Sequence, residues 1–304
     1  MPSVKFINQL HLHFLVFIAG FTAILGEFIS INAIALVWFR MAIAAVMMFG
    51  YIKIKRVDLK IPFKTILKFF VAGIIIALHW ITFFKAIKVS NVSVALVAMS
   101  TGAFFTSLIE PFFFKRKIKT TEIFLGLMVI GGLYIIFSFE SQYTLGIVYA
   151  LISSFLAALF SVLNGLFIRK YNASIISLYQ LFFGAIFITL FLFFQGSFSI
   201  SFFILQSSDW IYLLILSSIC TAYAFIVSVD VMKHLTPYTV MLTVNLEPVY
   251  AIILALIIFG ESEKMNSEFY LGAGIVLFVV LLNGILKNMK SIANKVGKLK
   301  QSKK

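Results

Sequence analysis

The sequence predicts an all-α membrane protein with about ten transmembrane helices arranged as two inverted five-helix repeats. The chain of 304 residues is 62% hydrophobic and only 12% charged, and its mean hydropathy is +1.08. A soluble domain is typically about 45–50% apolar, so no soluble fold of this length hides so much apolar surface. Two further observations, the spacing of apolar spans and the placement of charges, support this fold class.

Apolar stretches of the length needed to cross a bilayer, roughly 20 residues, recur along the whole chain. The first of them lacks a small-residue cleavage site and is followed at once by another, so we interpret it as a span and not as a signal peptide. The connections are short and leave no room for a soluble domain. The predicted spans are residues 12–29, 33–52, 66–84, 92–114, 123–139, 145–168, 175–194, 210–232, 238–259 and 269–286.

The net charge of +14 comes from basic residues that nearly all lie in alternate connections and in the tail after residue 286. This distribution argues against nucleic-acid binding. The positive-inside rule then places both termini in the cytoplasm of a multi-pass protein of the cell inner membrane. The connections on the opposite side hold acidic residues, which are Glu140, Asp209, Glu261, Glu263 and Glu268.

A polar segment occurs twice with opposite sign. Lys115-Arg116-Lys117 precedes Gly126, and Glu261-Ser262-Glu263 stands at the same distance ahead of Gly272, 146 residues further on. Because each half holds five spans, an odd number, the second half must enter the membrane upside down. The pattern therefore predicts an inverted repeat, as in transporters, over residues 1–140 and 141–286, followed by a basic cytoplasmic tail at 287–304.

Two ionisable residues, Arg40 and Glu247, fall near the middle of predicted spans. A charge at this depth costs about 2.5–3.5 kcal/mol on insertion scales, so it needs a partner or a function. Glu247 precedes Pro248, which bends a helix and frees a carbonyl group, and a carboxylate there is suited to coupling proton movement to transport. Two structural readings stay open: Glu247 is satisfied by hydrogen bonds or by Arg40, and Arg40 pairs with Glu27 or Glu247 instead of holding a substrate carboxylate.

Other polar or aromatic residues fall within the predicted spans. His79 and Trp80 are suited to lining a cavity for an amphipathic solute, although an interfacial Trp beside a satisfied His is an equally ordinary arrangement. Pro248 and Gly102, which occupy matching places in the two halves, are the predicted hinges. The full set of predicted substrate contacts is Arg40, His79, Trp80, Tyr223, Asn245 and Glu247.

Catalytic, metal and cofactor chemistry find little support in the sequence. His11 and His13 are two residues apart and would point to different faces of a helix. No phosphate-binding loop of the G-x-x-x-x-G-K-[ST] type occurs. Cys220 is the single cysteine, so no disulfide forms within the chain. We therefore expect no catalytic residue, no metal and no cofactor.

Several short stretches, in their order and spacing, resemble the EamA-type branch of the drug/metabolite transporter superfamily. They are Trp38-Phe39-Arg40, the run from His79 to Ile87 with Ser90 and Ala95, Pro248, Phe259-Gly260-Glu261 and Leu271-Gly272. The resemblance implies ten helices around a central cavity that opens alternately to each side. It also implies small metabolites, often exported amino acids or related compounds, as substrates.

The first half departs from this family pattern at two positions. Gly102 stands where the second half has Pro248, and Lys115 stands where the family has Glu. We therefore expect the fourth span to be flexible where the ninth is kinked.

The sequence thus predicts a secondary transporter, most simply an exporter, of a small-molecule substrate. Its expected partners are that substrate and the lipid bilayer, and the sequence is compatible with proton coupling and with a homodimer. The alternatives are an integral membrane enzyme, for which Arg40 and Glu247 supply few reactive groups, and a non-transporting lipid-interacting protein. The latter would not need polar residues in a kinked span.

Overall fold

The fold is described from a computed structural model, which covers residues 4–115, 117, 120–244, 246–279, 282 and 286. Side chains are described for all of these except residues 4–9, 122 and 242. The predicted contact Asn245 and the basic tail at 287–304 lie outside the described residues.

The described chain consists of helices joined by short connections, which confirms the all-α class. The helices are α1 (Val4–Phe28), α2 (Ala33–Ile54), α3 (Phe63–Val89), α4 (Val92–Met99), α5 (Gly102–Phe114), α6 (Thr120–Phe139), α7 (Thr144–Phe167), α8 (Ala173–Phe194), α9 (Ser207–Ser217), α10 (Ala224–Asp230), α11 (Pro237–Val244), α12 (Glu247–Phe259) and α13 (Ser267–Val279).

Within the described residues, seven helical segments are long and apolar enough to cross a bilayer. Two shorter apolar helices, Ile123–Phe139 and Ser267–Val279, accompany them. The spanning segments are Leu10–Phe28, Ala33–Ile54, Phe63–Val89, Val92–Phe114, Ser141–Phe167, Ala173–Phe194 and Ser207–Lys233.

Helices α2 and α8 begin in the same way, with asparagine side chains as N-caps. The Asn32 side chain accepts hydrogen bonds from the backbone N–H groups of Ile34 and Ala35, at 3.1 and 3.0 Å. The Asn172 side chain accepts one from the N–H of Ser174 at 2.9 Å. Such caps satisfy backbone donors that have no partner within the helix. Both helices are 22 residues long, so each half of the chain contains an element of the same length and start.

Two helical passages are interrupted at corresponding places in the two halves. Helices α4 and α5 meet at Ser100 and Thr101, and α11 and α12 meet on either side of residue 245. At the first break, the Thr101 hydroxyl donates to the Ala98 carbonyl at 2.8 Å and also lies 2.9 Å from the Ser154 hydroxyl. Hydroxyls can satisfy the backbone groups freed by such a break, which the apolar membrane interior would otherwise leave unpaired.

These breaks differ from the expected flexible fourth span and kinked ninth span. The fourth span is itself interrupted, and Gly102 is the first residue of α5. Pro248 lies in the first turn of α12 and not in a helix interior, since it is the second residue of that helix. At this position a backbone N–H would have no intrahelical partner, so the proline causes no kink. Each half therefore contains a discontinuous helix, whereas a bend was predicted only for the ninth span, in the second half.

Helices α3 and α8 approach closely through two glycines, Gly73 and Gly184. A Cβ atom at position 73 would lie 2.6 Å from the carbonyl oxygen of Gln180 and 3.0 Å from the backbone nitrogen of Gly184. Such backbone contact between spanning helices requires small residues. It fixes α3, and with it His79 and Trp80, against the second half of the chain.

Candidate functional site

Two adjoining cavities, of about 160 and 130 Å³, lie among the discontinuous helices. The larger one is bordered by Arg40 of α2, His79 and Trp80 of α3, and Glu247 of α12. The two cavities share seven lining residues, so together they form one site, here called the central cavity. The shared residues are His79, Phe83, Met99, Phe160, Ser228, Val244 and Glu247.

Arg40 is buried, with 2% of its surface exposed, and its guanidinium is held by the segment between α9 and α10. Its Nε donates to the Thr221 hydroxyl at 2.6 Å, and its Nη2 donates to the Cys220 carbonyl at 3.3 Å. These acceptors lie in a π-helical turn, Ser218–Tyr223, and such turns are frequent at functional sites. The Thr221 hydroxyl in turn donates to the Leu216 carbonyl at 2.7 Å, which fixes its orientation.

The Arg40 guanidinium lies over the Trp80 ring. Its Cζ lies 3.9 Å from the ring centroid, and the Phe84 ring is 5.5 Å away. A desolvated cation–π contact stabilises the charge by about 2 kcal/mol. Trp80 is itself buried, so its role is to support Arg40 and not to anchor the chain at the membrane interface.

The remaining nitrogen of Arg40, Nη1, is buried and has no hydrogen-bond partner among the residues that the structure describes. The two structural partners considered from the sequence do not supply one. The Glu27 carboxylate pairs with Lys88 instead, with 3.9 Å between Oε2 and Nζ. Glu247 forms no ion pair with Arg40 within the described part of the chain. Arg40 and Glu247 instead border the same cavity, so a guanidinium N–H and a carboxylate are both available to a solute there.

His79 lies between the cavity and α7. Its Nδ1 is 2.9 Å from the Ser153 carbonyl oxygen and 2.8 Å from the Ser153 hydroxyl, and that hydroxyl donates to the His79 carbonyl at 2.8 Å. Because a carbonyl only accepts, Nδ1 carries a proton, and in the neutral ring Nε2 is left as an acceptor. The His79 ring is nearly parallel to those of Phe83 and Phe160. A hydrogen-bonding group thus sits within an aromatic wall.

The structure brings four predicted contacts, Arg40, His79, Trp80 and Glu247, to this cavity. Pro248 borders its smaller part. Tyr223 is not brought there, since its side chain is 46% exposed and does not line either part. Its position in the π-helical turn directs its neighbours Thr221 and Cys220 inward and leaves Tyr223 on the outer surface.

Several lining and supporting residues were not found from the sequence. Ser153, Ala157 and Ser161 of α7 form a stripe of small residues spaced by four, and all three are buried. This spacing places them on one helix face, so the signal was present in the sequence. The Ser161 hydroxyl borders the smaller part of the cavity and has no hydrogen-bond partner among the described residues.

Two acids of the connections, Glu263 and Asp209, are buried and hydrogen-bonded to the first half of the chain. Glu263 is 3% exposed, and its carboxylate accepts hydrogen bonds from the N–H groups of Val92 and Ser93, both at 2.9 Å, and from the Ser93 hydroxyl at 2.7 Å. Asp209, 1% exposed, accepts from the N–H and hydroxyl of Ser30 at 2.8 and 2.6 Å. Each contact joins the second half to the first at the end of the bundle away from the basic connections, here called the acidic end.

Lys88 adds a third contact at the acidic end. Its Nζ donates to the Ile29 carbonyl at 2.7 Å and to the Glu27 carbonyl at 3.1 Å. Lys88 therefore contributes to the packing of the helices, although it lies on the side of the bundle where basic residues are few. It caps the last carbonyls of α1, where a cation is favoured.

A family model of the EamA-like transporter family matches residues 10–138 and again residues 144–285. The chain belongs to the EamA-like transporter family. The two matches follow each other along the chain, so the family unit occurs twice. Together with the apolar helices, they identify a multi-pass membrane protein of a transporter family, as the sequence predicted.

One similar protein is named as a transporter, and one solved structure has a similar fold. An uncharacterized transporter from Clostridium kluyveri is 26% identical over 189 residues, and the match spans 60% of this chain and 60% of that relative's length. A solved crystal structure of another protein, 16% identical, covers 93% of this chain and 98% of its own, with a TM-score of 0.68. At this identity the second likeness shows a shared fold.

Replacing Glu263 in this EamA-like protein by glutamine removes the charge and one acceptor from the cap of α4. Hydrogen bonds to charged groups contribute about 1.5–3 kcal/mol, and a buried donor left unpaired costs a similar amount. We therefore expect Glu263→Gln to lower the apparent melting temperature in detergent. The matched control is Glu261→Gln, which removes an exposed charge paired with the exposed Lys264 and should change the melting temperature little. Equal melting temperatures for the two variants would contradict the capping role.

Proposed function

We propose that this protein is a secondary transporter, most simply an exporter, of a small metabolite such as an amino acid or a related compound. The substrate binds in the central cavity, and the two halves rock against each other to expose that cavity alternately to each side of the membrane. The proposal goes beyond the family assignment in substrate class, direction and mechanism.

The observation that supports it most is the open side of Arg40. A guanidinium buried near the middle of a spanning helix keeps its Nη1 without a hydrogen-bond partner among the described residues, beside a cavity that Glu247 also borders. Intramembrane charges mark substrate and ion pathways more often than structural sites. A guanidinium is suited to a carboxylate, and a carboxylate is suited to an amine or a proton. The carboxylate of an amino acid therefore suits Arg40, and a transported proton suits Glu247.

We further propose that ten helices form two inverted five-helix repeats, residues 1–140 and 141–286. The helix breaks at corresponding places and the matching asparagine caps support this division. The packing is also reciprocal between the halves. Helix α5 packs on α7 as α12 packs on α1, and α4 packs on α12 as α11 packs on α5. The counterparts of α1, α4 and α5 in the second half are α7, α11 and α12. Exchanging each helix for its counterpart gives the same set of contacts, as a pseudo-two-fold relation requires.

The breaks supply the hinges in this scheme. Gly102 begins α5 and Pro248 lies in the first turn of α12, and both helices border or adjoin the central cavity. Discontinuous helices at this depth are where transporters place substrate sites. We also propose that both termini lie in the cytoplasm of an inner-membrane protein, and the distribution of basic connections supports this orientation.

Substitution of Arg40 tests the substrate contact. In proteoliposomes loaded with a panel of isotopically labelled amino acids, we expect Arg40→Ala to lower the initial efflux rate of the transported compound at least ~10-fold, since it removes a charged hydrogen bond. Arg40→Lys should restore little of the efflux rate, because lysine lacks the planar guanidinium that binds a carboxylate through two hydrogen bonds. Arg169→Ala is the control, since it removes an exposed guanidinium stacked 4.7 Å from the Phe114 ring. Wild-type efflux by folded Arg40→Ala protein would overturn the assignment.

Substitution of Glu247 separates proton coupling from substrate binding. Glu247→Gln keeps the shape and loses the titrating group. If Glu247 carries the proton, this variant exchanges labelled for unlabelled amino acid across the membrane at near wild-type rates. It also fails to accumulate label when only a pH gradient is applied. Glu261→Gln, at an exposed acid, should retain both activities. Gradient-driven accumulation by Glu247→Gln would contradict the proton role.

A further inference from the structure

A groove of about 530 Å³ lies between α2 and α8, outside the central cavity. We propose that it binds one acyl chain of an anionic phospholipid whose headgroup is held by the basic segment at residues 53–64. This α2–α8 groove is lined by Trp38, Ala42, Ala45, Val46, Phe49, Leu59, Leu178, Tyr179, Phe182, Ala185, Ile186 and Thr189.

The groove exists because three of its residues are alanines, Ala42, Ala45 and Ala185, while larger side chains form its walls. Val46 is 73% exposed, and Phe182 is also exposed, so the groove opens on a surface that faces lipid in a membrane-spanning chain. Its lining is almost entirely apolar. A hydrocarbon chain can occupy such a surface without leaving a polar group unpaired.

The length of the groove matches a single lipid chain. Trp38 and Phe49 are eleven residues apart on α2, which at 1.5 Å per residue is about 16 Å. The hydrocarbon core of a bilayer is about 30 Å thick, so each leaflet contributes about half of that. One acyl chain of one leaflet therefore spans the groove from end to end.

The far end of the groove is closed by aromatic packing. The Trp38 indole N–H donates to the Thr189 hydroxyl at 2.8 Å. Its ring packs against Phe198 and Phe202, with centroids 5.6 and 5.4 Å away. No described polar donor is thus left open at this end, which suits the methyl end of a lipid chain.

The near end of the groove leads into a concentration of positive charge. Lys53 Nζ lies 5.3 Å from the ring of Phe49, a groove residue. The Tyr179 hydroxyl donates to the Leu59 carbonyl at 2.9 Å, which holds the basic segment against the groove. The exposed cations of this segment are Lys53, Lys55, Arg56, Lys60 and Lys64.

The excess of positive charge in this segment favours a lipid with an anionic headgroup. Against its five cations stands one acid, Asp58, whose carboxylate accepts the N–H of Lys60 at 3.0 Å. Clusters of four to eight basic residues beside a spanning helix attract anionic lipid, and each cation near the surface strengthens the attraction. A second copy of this chain is a poorer occupant, since an isologous contact would bring two such clusters together.

The test uses the full chain in detergent and native mass spectrometry with phosphatidylglycerol and, separately, phosphatidylcholine as probes. We expect phosphatidylglycerol to bind more tightly. The double substitution Lys53→Gln with Arg56→Gln should weaken phosphatidylglycerol binding about 30-fold, because it removes two cations that each strengthen the attraction to the headgroup. The matched control is Lys115→Gln with Lys117→Gln, which also removes two exposed cations, but beside α5, a helix that contributes no residue to the lining of the groove. It should leave the affinity within a few fold.

A groove-filling variant tests the position of the chain. Ala42→Phe should displace phosphatidylglycerol without removing any charge, and Ala185→Leu serves if the first variant does not fold. The proposal is overturned if the control pair weakens binding as much as the groove pair, or if phosphatidylcholine binds as tightly. It is also overturned if filling the groove leaves binding intact, or if filling it dissociates a lipid-free dimer.

Discussion

The burial of one guanidinium near the middle of a lipid bilayer is the constraint on which the rest of the structure depends. Such a charge is costly unless polar or aromatic groups surround it. For Arg40 these groups come from separate elements, since Thr221 and Cys220 lie in the π-helical turn and Trp80 lies on α3. Helices α2, α3 and the α9–α10 passage must therefore converge at one depth. The convergence leaves a cavity beside Arg40, whose Nη1 has no hydrogen-bond partner among the described residues.

Contacts at the acidic end hold the two halves together above that cavity. Glu263 caps α4 across the boundary between the halves, and Asp209 does the same for Ser30. In the proposed cycle these are the bonds that must break before the cavity opens toward that end. When these contacts separate, water can take the place of the N–H donors and offsets part of the loss. Such contacts can close the bundle firmly and still be reversible.

The sequence predicted the fold class well because span length and charge placement are strong local signals. It also predicted that Arg40, His79, Trp80 and Glu247 border one cavity. Polar residues at mid-depth are costly in lipid, so they face the interior of the bundle or a cavity. It did not reveal the partners of Arg40, because Thr221 and the Cys220 carbonyl act only once a π-helical turn directs them inward. Tyr223 was predicted as a substrate contact but does not line the cavity, because the same turn leaves it on the outer surface. The burial of Glu263 was missed because a charged loop residue gives no sign that a helix start lies beside it.

The central claim, that the cavity between the halves opens to each side in turn, can be tested with the native thiol. Cys220 is the single cysteine of the chain and lines the cavity beside Arg40. The measurement is the rate at which a small, membrane-impermeant methanethiosulfonate reagent modifies Cys220 when added to one face, or to the other, of oriented membrane vesicles. The account predicts modification from both faces, slowed from both by saturating transported substrate. Modification from one face alone, or from neither, would contradict alternating access.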